Sequence, residues 1–488
     1  MTDPIEAFAT GIQGFDLLAL SGLPRGRATL VSGPPGSGKT LFAMHFLAEG
    51  AASGEGGVFV TFQESPADIR RNVASMGWDI QAWEKASRWA FVEPALLARQ
   101  DLDDLIAGIE QAVRRVNARR VAVDSLSACF TRFAGSADRN ELTHFVSALE
   151  NLGVTTVVTS ERAADDEHPL EEFVFDNVVI LRNAREDEKR RRTIEILKVR
   201  GAAHQKGEFP FTIQPNVGLT VVPLSVIELT QKSSDARITS GSDDLDGLCG
   251  GGFFRDSVTL VSGATGGGKT LMCTQFIGGG VAAGERCLLL GYEESRDQLF
   301  RNARGWRRDF AQLEREGLLR VTCRYPEAMQ LEDHLLHIKR EVDEFKPSRV
   351  AVDSLSALER VSTPRSFREF AIDLTAFLKT REIAGLFTAT TPSLLGSPSV
   401  TESHISTIAD SIILLRYVEL YGEMRRGITI LKMRGSPHDK QIREFWIDDV
   451  GMDIGEAFRN VSGILTGNPR QATPAELERA SRPHDSEA

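Results

Sequence analysis

Positive charge is in short supply. Lys and Arg number 57 against 68 Asp and Glu, a net charge of −11, which argues against a chain built to coat nucleic acid. Cysteine is equally sparse. The five thiols (Cys129, Cys249, Cys273, Cys287 and Cys323) form no C-x-x-C pair. They read as small buried apolar residues rather than metal ligands or disulfides. The nine histidines show no metal-ligand spacing. No run reaches the ~18 apolar residues of a membrane helix. Met1 to Glu6 lacks the basic segment of a secretory signal, so the expected setting is the cytoplasm, with no membrane contact.

What the chain does have is glycine in two special places. The stretch Gly263 to Thr270 (GATGGGKT) fits the phosphate-loop pattern G-x-x-x-x-G-K-[ST], and so does Gly33 to Thr40 (GPPGSGKT). Each follows a short β-branched segment and precedes a stretch able to open a helix. Backbone N–H groups of Gly36, Ser37 and Gly38, and of Thr265, Gly266, Gly267 and Gly268, can close on ATP phosphates. Lys39 and Lys269 would reach the β/γ-phosphates, and Thr40 and Thr270 would ligate Mg²⁺.

The two loops are part of a longer repeat. Lys39 and Lys269 stand 230 positions apart, as do Gln63-Glu64 and Glu293-Glu294. The segment Arg120 to Ser127 returns after 229 positions at Arg349 to Ser356, and Ile196 to Gly201 after 234 at Ile430 to Gly435. A duplicated domain of ~230 residues explains all four. The expected division is 1–230, 231–465 and a flexible tail, 466–488, with one short helix over 475–480. The strands are short and nearly all apolar. Strands of that kind are buried on both faces, which predicts an α/β fold with a mainly parallel sheet flanked by helices in each copy.

Candidate chemistry follows the same repeat. Asp124 and Asp353 end apolar strands, where a carboxylate can hold a Mg²⁺ shell; the alternative is a helix N-cap. Glu293 and Glu294 end another strand, where a carboxylate can take a proton from water or a hydroxyl; the alternative is an acidic pair opening a helix. The first copy has Gln63 and Glu64 there, and an amide cannot accept that proton. That site therefore uses Glu64, turns over slowly, or mainly binds nucleotide. Lys198/Arg200 and Lys432/Arg434 have the alternate spacing of one strand face. They suit either a γ-phosphate bound by a neighbouring subunit or a solvated edge. Lys189 to Arg192, with acids nearby, reads as a charged turn or subunit contact. Ser403 to Thr407 occurs in the second copy only and reads, on pattern alone, as a turn or helix cap.

Taken together, these stretches resemble the KaiC family of clock ATPases and autokinases within the RecA-like superfamily. The likeness runs from Ile12 to Asn468 and includes Gly56 to Phe62, Arg190 to Thr193, Gly250 to Phe254, Tyr292 to Arg296, Leu331 to Leu335 and Ser403 to Thr407. The resemblance implies two tandem RecA-like P-loop domains in a double-ring homohexamer, with ATP held between subunits. It implies ATP hydrolysis mainly in the first ring and Ser/Thr autophosphorylation in the second. Phosphoacceptors fall on Ser406 and Thr407, with Thr401 nearby. The base falls on Glu293, with Glu294 beside it near the metal. Nucleotide contacts fall on Ser75 and Trp306. Across the subunit interface they fall on Lys198, Val199, Arg200, His204 and Lys206 in the first ring, and on Arg426, Lys432, Met433, Arg434 and His438 in the second. KaiB-like or other signalling partners are implied. Three places depart from the family pattern: Gln63, the alanines Ala202 and Ala203 beside Arg200, and the tail after Asn468, which leaves KaiA binding open. A RecA- or RadA-type DNA-dependent ATPase is the alternative with the same fold and loops.

Overall fold

The computed structural model describes residues 6–19, 21–94, 102–133, 139–162, 169–186, 189–222, 233–391, 407–459, 461–464 and 470–471. The chain divides into two compact units, Met1–Val226 and Ile227–Ala488. The boundary residues Gln231 and Lys232 and the helix expected over 475–480 lie outside the described residues.

The first unit is built on a nine-stranded sheet. Its strands are β1 (Ala28–Gly33), β2 (Gly56–Thr61), β3 (Trp89–Val92), β4 (Ala118–Asp124), β5 (Thr155–Glu161), β6 (Asn177–Glu186), β7 (Lys189–Val199), β8 (Glu208–Gln214) and β9 (Gly218–Val221). In space they run β3-β2-β4-β5-β1-β6-β7-β8-β9. The six from β3 to β6 are parallel, and β6 to β9 continue antiparallel.

The second unit repeats this plan strand for strand: β10 (Val258–Gly263), β11 (Cys287–Gly291), β12 (Leu319–Cys323), β13 (Arg349–Asp353), β14 (Ala384–Thr390), β15 (Ser411–Leu420), β16 (Glu423–Met433), β17 (Arg443–Ile447) and β18 (Met452–Ala457). Its spatial order, β12-β11-β13-β14-β10-β15-β16-β17-β18, matches the first sheet position by position.

Every residue of β1 and of β10 is buried, as expected of a central strand covered on both faces. Neighbours on β1 serve different layers. Val31 packs with Phe42, Phe46 and Phe59, while Leu30 packs with Val58, Val121 and Phe145. Helix α1 (Lys39–Ala52) follows β1, and α2 (Lys269–Ala282) follows β10. Both are apolar nearly all round and sit inside their units. The turn into each helix requires a left-handed residue, and glycine occupies it: Gly38 and Gly268 both have φ of 101°.

An ion pair built on a buried arginine recurs in both units. Arg120 donates to Glu55 at 2.7 Å and to the carbonyls of Ala9 and Phe46 at 2.7 and 2.9 Å. Arg349 donates to Glu285 at 2.5 Å and to the carbonyls of Thr239 and Phe276 at 2.7 and 3.0 Å. Each arginine ties the strand that ends in Asp124 or Asp353 to the helix leaving the phosphate loop. Of the two expectations for Lys189 to Arg192, a charged turn or a subunit contact, the turn does not form. Lys189 to Val199 is a strand, because its apolar residues Ile194 and Ile196 are drawn into the core.

Candidate nucleotide sites

Parallel strands bring the loop, the Asp and the Glu pair to one edge of each sheet. In β1, Gly33 is level with Glu161 of β5, and Thr61 of β2 is level with Asp124 of β4. The ammonium of Lys39 donates to the carbonyls of Gly33 and Pro34 at 2.9 and 3.1 Å. Lys269 does the same with Gly263 and Ala264, both at 3.0 Å. Burial lowers both lysine pKa values, opposed by the charges of Glu161 and Asp124 in one unit and of Asp353 and Glu293 in the other.

The hydroxyl of Thr40 donates to Asp124 at 2.7 Å, and that of Thr270 to Asp353 at 2.6 Å. The second carboxylate oxygen of each Asp accepts from a threonine that the sequence reading did not single out, Thr159 in one unit and Thr388 in the other. These threonines stand 229 positions apart, so aligning the two copies would have exposed them. The capping alternative for the two Asp residues is set aside. Ser354 occupies the N-cap of the helix Leu355–Arg360, and the Ser125 hydroxyl accepts from Ala128. Burial raises the pKa of Asp353, as does the nearby Glu293 charge, against its bonds from Thr270 and Thr388.

Glu293 and Glu294 lie between the end of β11 and the helix α3 (Arg296–Gly305), whose own cap is Ser295. Glu293 is paired with Arg360, both guanidinium nitrogens at 3.3 Å. Glu294 accepts from Asn302 at 2.8 Å, and burial together with the Asp353 charge raises its pKa. In the first unit Glu64 accepts from Asn72 at 3.0 Å in the same way. Gln63 there shares a cleft with Thr131 and Glu161. Ser75 lies in the short turn of helix Ala74–Met76 that follows the helix Pro66–Val73, and Trp306, which matches Met76 in the repeat, lies just past α3 and packs on the second core.

The remaining cations lie elsewhere. Lys432 of β16 is level with Ile412 of β15, which is level with Leu260 of β10. That is three residues, ~10 Å at about 3.3 Å per residue, short of the loop edge. Its ammonium donates to the carbonyl of Ala409 at 2.8 Å, away from the loop. Arg434 donates to the carbonyl of Thr407 at 2.9 Å and pairs with Asp410. Burial and the Arg434 charge lower the pKa of Lys432.

The first unit repeats the arrangement. Lys198 has a lowered pKa from burial and the Arg200 charge, and Arg200 pairs with Asp176 at 2.8 Å. A β-bulge leaves Leu197 and Leu431 out of register and exposed, so that Lys198 and Lys432 resume pairing one residue late. Val199 and Met433 end their strands, and His204, Lys206 and His438 lie in the loops that follow.

Arg426 is not brought to this group. Its guanidinium lies over Tyr417, whose hydroxyl donates to the Thr265 carbonyl at 3.5 Å, so it stands beside its own chain's loop. Arg192 does likewise at Gly36, at 3.5 Å. Ser406 and Thr401 lie outside the described residues; Thr407 lies within them.

Comparison with known proteins bears on this duplicated site directly. A family model described as the KaiC ATPase matches residues 8–226 and again 238–458. The chain belongs to the KaiC family of ATPases. Among its relatives, the circadian clock protein KaiC3 of Synechocystis is 60% identical over 98% of both chains. The circadian clock oscillator protein KaiC of Thermostichus vulcanus is 50% identical, over 98% of this chain and 94% of its own. That of Synechococcus elongatus is 48% identical over the same shares. KaiC membership carries ATP use and the tandem RecA-like architecture. Among the described residues, no helix is long and apolar enough to cross a membrane. Nor do three or more His, Cys, Asp or Glu gather into a metal cluster.

Proposed function

We propose that the chain is an ATP-hydrolysing protein whose second unit phosphorylates Ser406 and Thr407 of an adjacent copy, in a ring assembly that serves timing or a related signalling task. The observation that carries this is the division of each site between opposite edges of one sheet. The loop, Asp353, Glu293 and Glu294 gather at one edge. Lys432, Arg434 and Thr407 gather at the other. A chain arranged this way completes no site alone, and a second copy supplies the missing half.

Thr40 with Asp124, and Thr270 with Asp353, set a hydroxyl against a carboxylate at each loop, a donor pair that suits Mg²⁺ beside phosphates. Held by these residues, Mg²⁺ would supply positive charge against the phosphates. In the second unit the hydroxyl oxygen of Ser406 or Thr407 attacks the γ-phosphorus. The new O–P bond forms as the bond to the bridging oxygen breaks, and ADP leaves with the electron pair. Glu293 receives the hydroxyl proton, released for the task from Arg360. Lys432 and Arg434 arrive with the acceptor from the same neighbour and balance charge on the phosphoryl oxygens. A phosphate adds about −1.5 to −2 charge at that contact, enough to alter affinity for a KaiB-like or other signalling partner.

Mixing two variants tests this. Lys269→Ala retains acceptors and lacks a working loop; Ser406→Ala/Thr407→Ala retains the loop and lacks acceptors. Intact-mass analysis after incubation with ATP should find one or two phosphates on the Lys269→Ala chain only in the mixture. Phosphate on the native chain and none in the mixture would mean transfer within one chain. None on the native chain would remove the autokinase.

A further inference from the structure

The geometry points to Glu161 as a catalytic carboxylate of the first unit, the group that holds the attacking water and receives its proton during ATP hydrolysis. This rests on reading the first unit as an ATPase, and it goes further by locating the carboxylate that Gln63 does not supply.

Three observations meet at this residue. Glu161 ends β5 level with Gly33, the first residue of the phosphate loop, and the next backbone N–H, that of Arg162, donates to the Gly33 carbonyl at 3.2 Å. Its own N–H donates to the hydroxyl of Ser127 at 3.0 Å, and Ser127 lies 3.3 Å from Ser160. The strand end is thereby fixed against the loop. Second, the side chain is exposed and lines a cleft of about 340 Å³ together with Phe62, Gln63, Ser127 and Thr131. Third, the ammonium of Lys39 donates to the carbonyl of Gly33, the residue level with Glu161, at 2.9 Å. The carboxylate thus faces the space between the lysine that reaches the phosphates and the glutamine at the end of β2.

The second unit lacks this group. The position matching Glu161 is Thr390, level with Gly263 and anchored through the same bond, from its N–H to the hydroxyl of Ser356 at 2.8 Å. The exchange is reciprocal. Carboxylate on the β11 side faces threonine on the β14 side, and amide on the β2 side faces carboxylate on the β5 side. Glu64 is engaged by Asn72, as Glu294 is by Asn302, so it fills the role of the second acid in the pair. In the resulting step the water oxygen bonds to the γ-phosphorus as the bond to the bridging oxygen breaks. ADP takes that electron pair, the water proton passes to Glu161, and the Gln63 amide oxygen accepts the remaining hydrogen bond.

The test uses the full chain with Lys269→Ala silencing the second loop, and reads ATP turnover beside equilibrium ATP binding. Glu161→Gln should lower turnover ~10-fold or more while ATP affinity stays within about threefold. Glu161→Thr, the second unit's residue, should do the same, and adding Gln63→Glu to it should bring turnover back. Unchanged turnover in Glu161→Gln would overturn the assignment alone. So would a parallel loss of binding and turnover, which marks a residue that shapes the loop. A Lys269→Ala parent that binds ATP without hydrolysing it would instead remove the ATPase reading of the first unit, and Glu161 with it.

Discussion

At the end of β11 Glu293 faces Arg360 at 3.3 Å, whereas the matching place in the first unit holds Gln63 and Thr131. Both members of an ion pair are replaced by neutral residues, and a carboxylate appears across the cleft at Glu161 instead. Around these positions the two units agree closely: the lysine on its loop carbonyls, the Thr–Asp–Thr row, the Asn that holds the second acid, and the Arg–Glu pair beneath. On the roles proposed above, the lesson is that duplication has kept what binds the nucleotide and varied what activates the attacking oxygen. An arginine that restrains Glu293 suits a slow transfer to a hydroxyl. A neutral wall with an unrestrained carboxylate suits water.

The shared scaffold is the place where the comparison breaks most visibly. Arg120→Ala and Arg349→Ala should each destabilise their own unit by ~2–5 kcal/mol, because each leaves two backbone carbonyls without their donor and takes a cation from a half-buried carboxylate. Two-stage thermal unfolding of the full chain checks this, and a large loss in one unit only would mean that the scaffolds are not equivalent. Next comes the chemistry. Glu293→Gln should reduce phosphate incorporation ~100-fold, about 2.7 kcal/mol of barrier, measured by intact mass. It should leave first-unit hydrolysis unchanged; an equal fall in both would merge two activities held here to be separate. Thr388→Val and Thr159→Val each remove one bond to the strand-end Asp and should cost about 1 kcal/mol by chemical denaturation. A much larger loss in only one unit would show that the Thr–Asp rows differ in weight. The smallest effect is expected from Gln63→Glu in the Lys269→Ala background. With Glu161 already in place, a second acceptor should raise ATP turnover only ~3-fold. A rise of 100-fold would return the main role to the β2 end and set the units alike.

Much of this was legible from the sequence because duplication makes its own alignment. The loops, Asp124 and Asp353, and the parallel core were visible as repeated apolar strands ending in fixed chemistry. The antiparallel extension from β6 to β9 was not, since β7 and β16 carry charges along with their apolar residues and read as turns or edges. Glu161 was also out of reach. It lies 122 positions from Lys39, and only the β1–β5 register sets the two side by side. The spread of Arg426 and Lys432 along β16 was equally out of reach. Six residues along a strand is about 20 Å, so two cations close in sequence lie far apart along β16.

That distance along β16 also constrains how copies can meet. Under the proposed function, a surface that offers a loop at one end and a cationic finger at the other meets its copies head to tail, finger on loop. An open row of such copies always ends in one unserved loop and one idle finger, and only closing the row removes both. Closure then becomes a condition for full occupancy of the sites rather than a matter of shape. A single copy damaged at Lys432 would silence its neighbour's loop while its own continued to turn over.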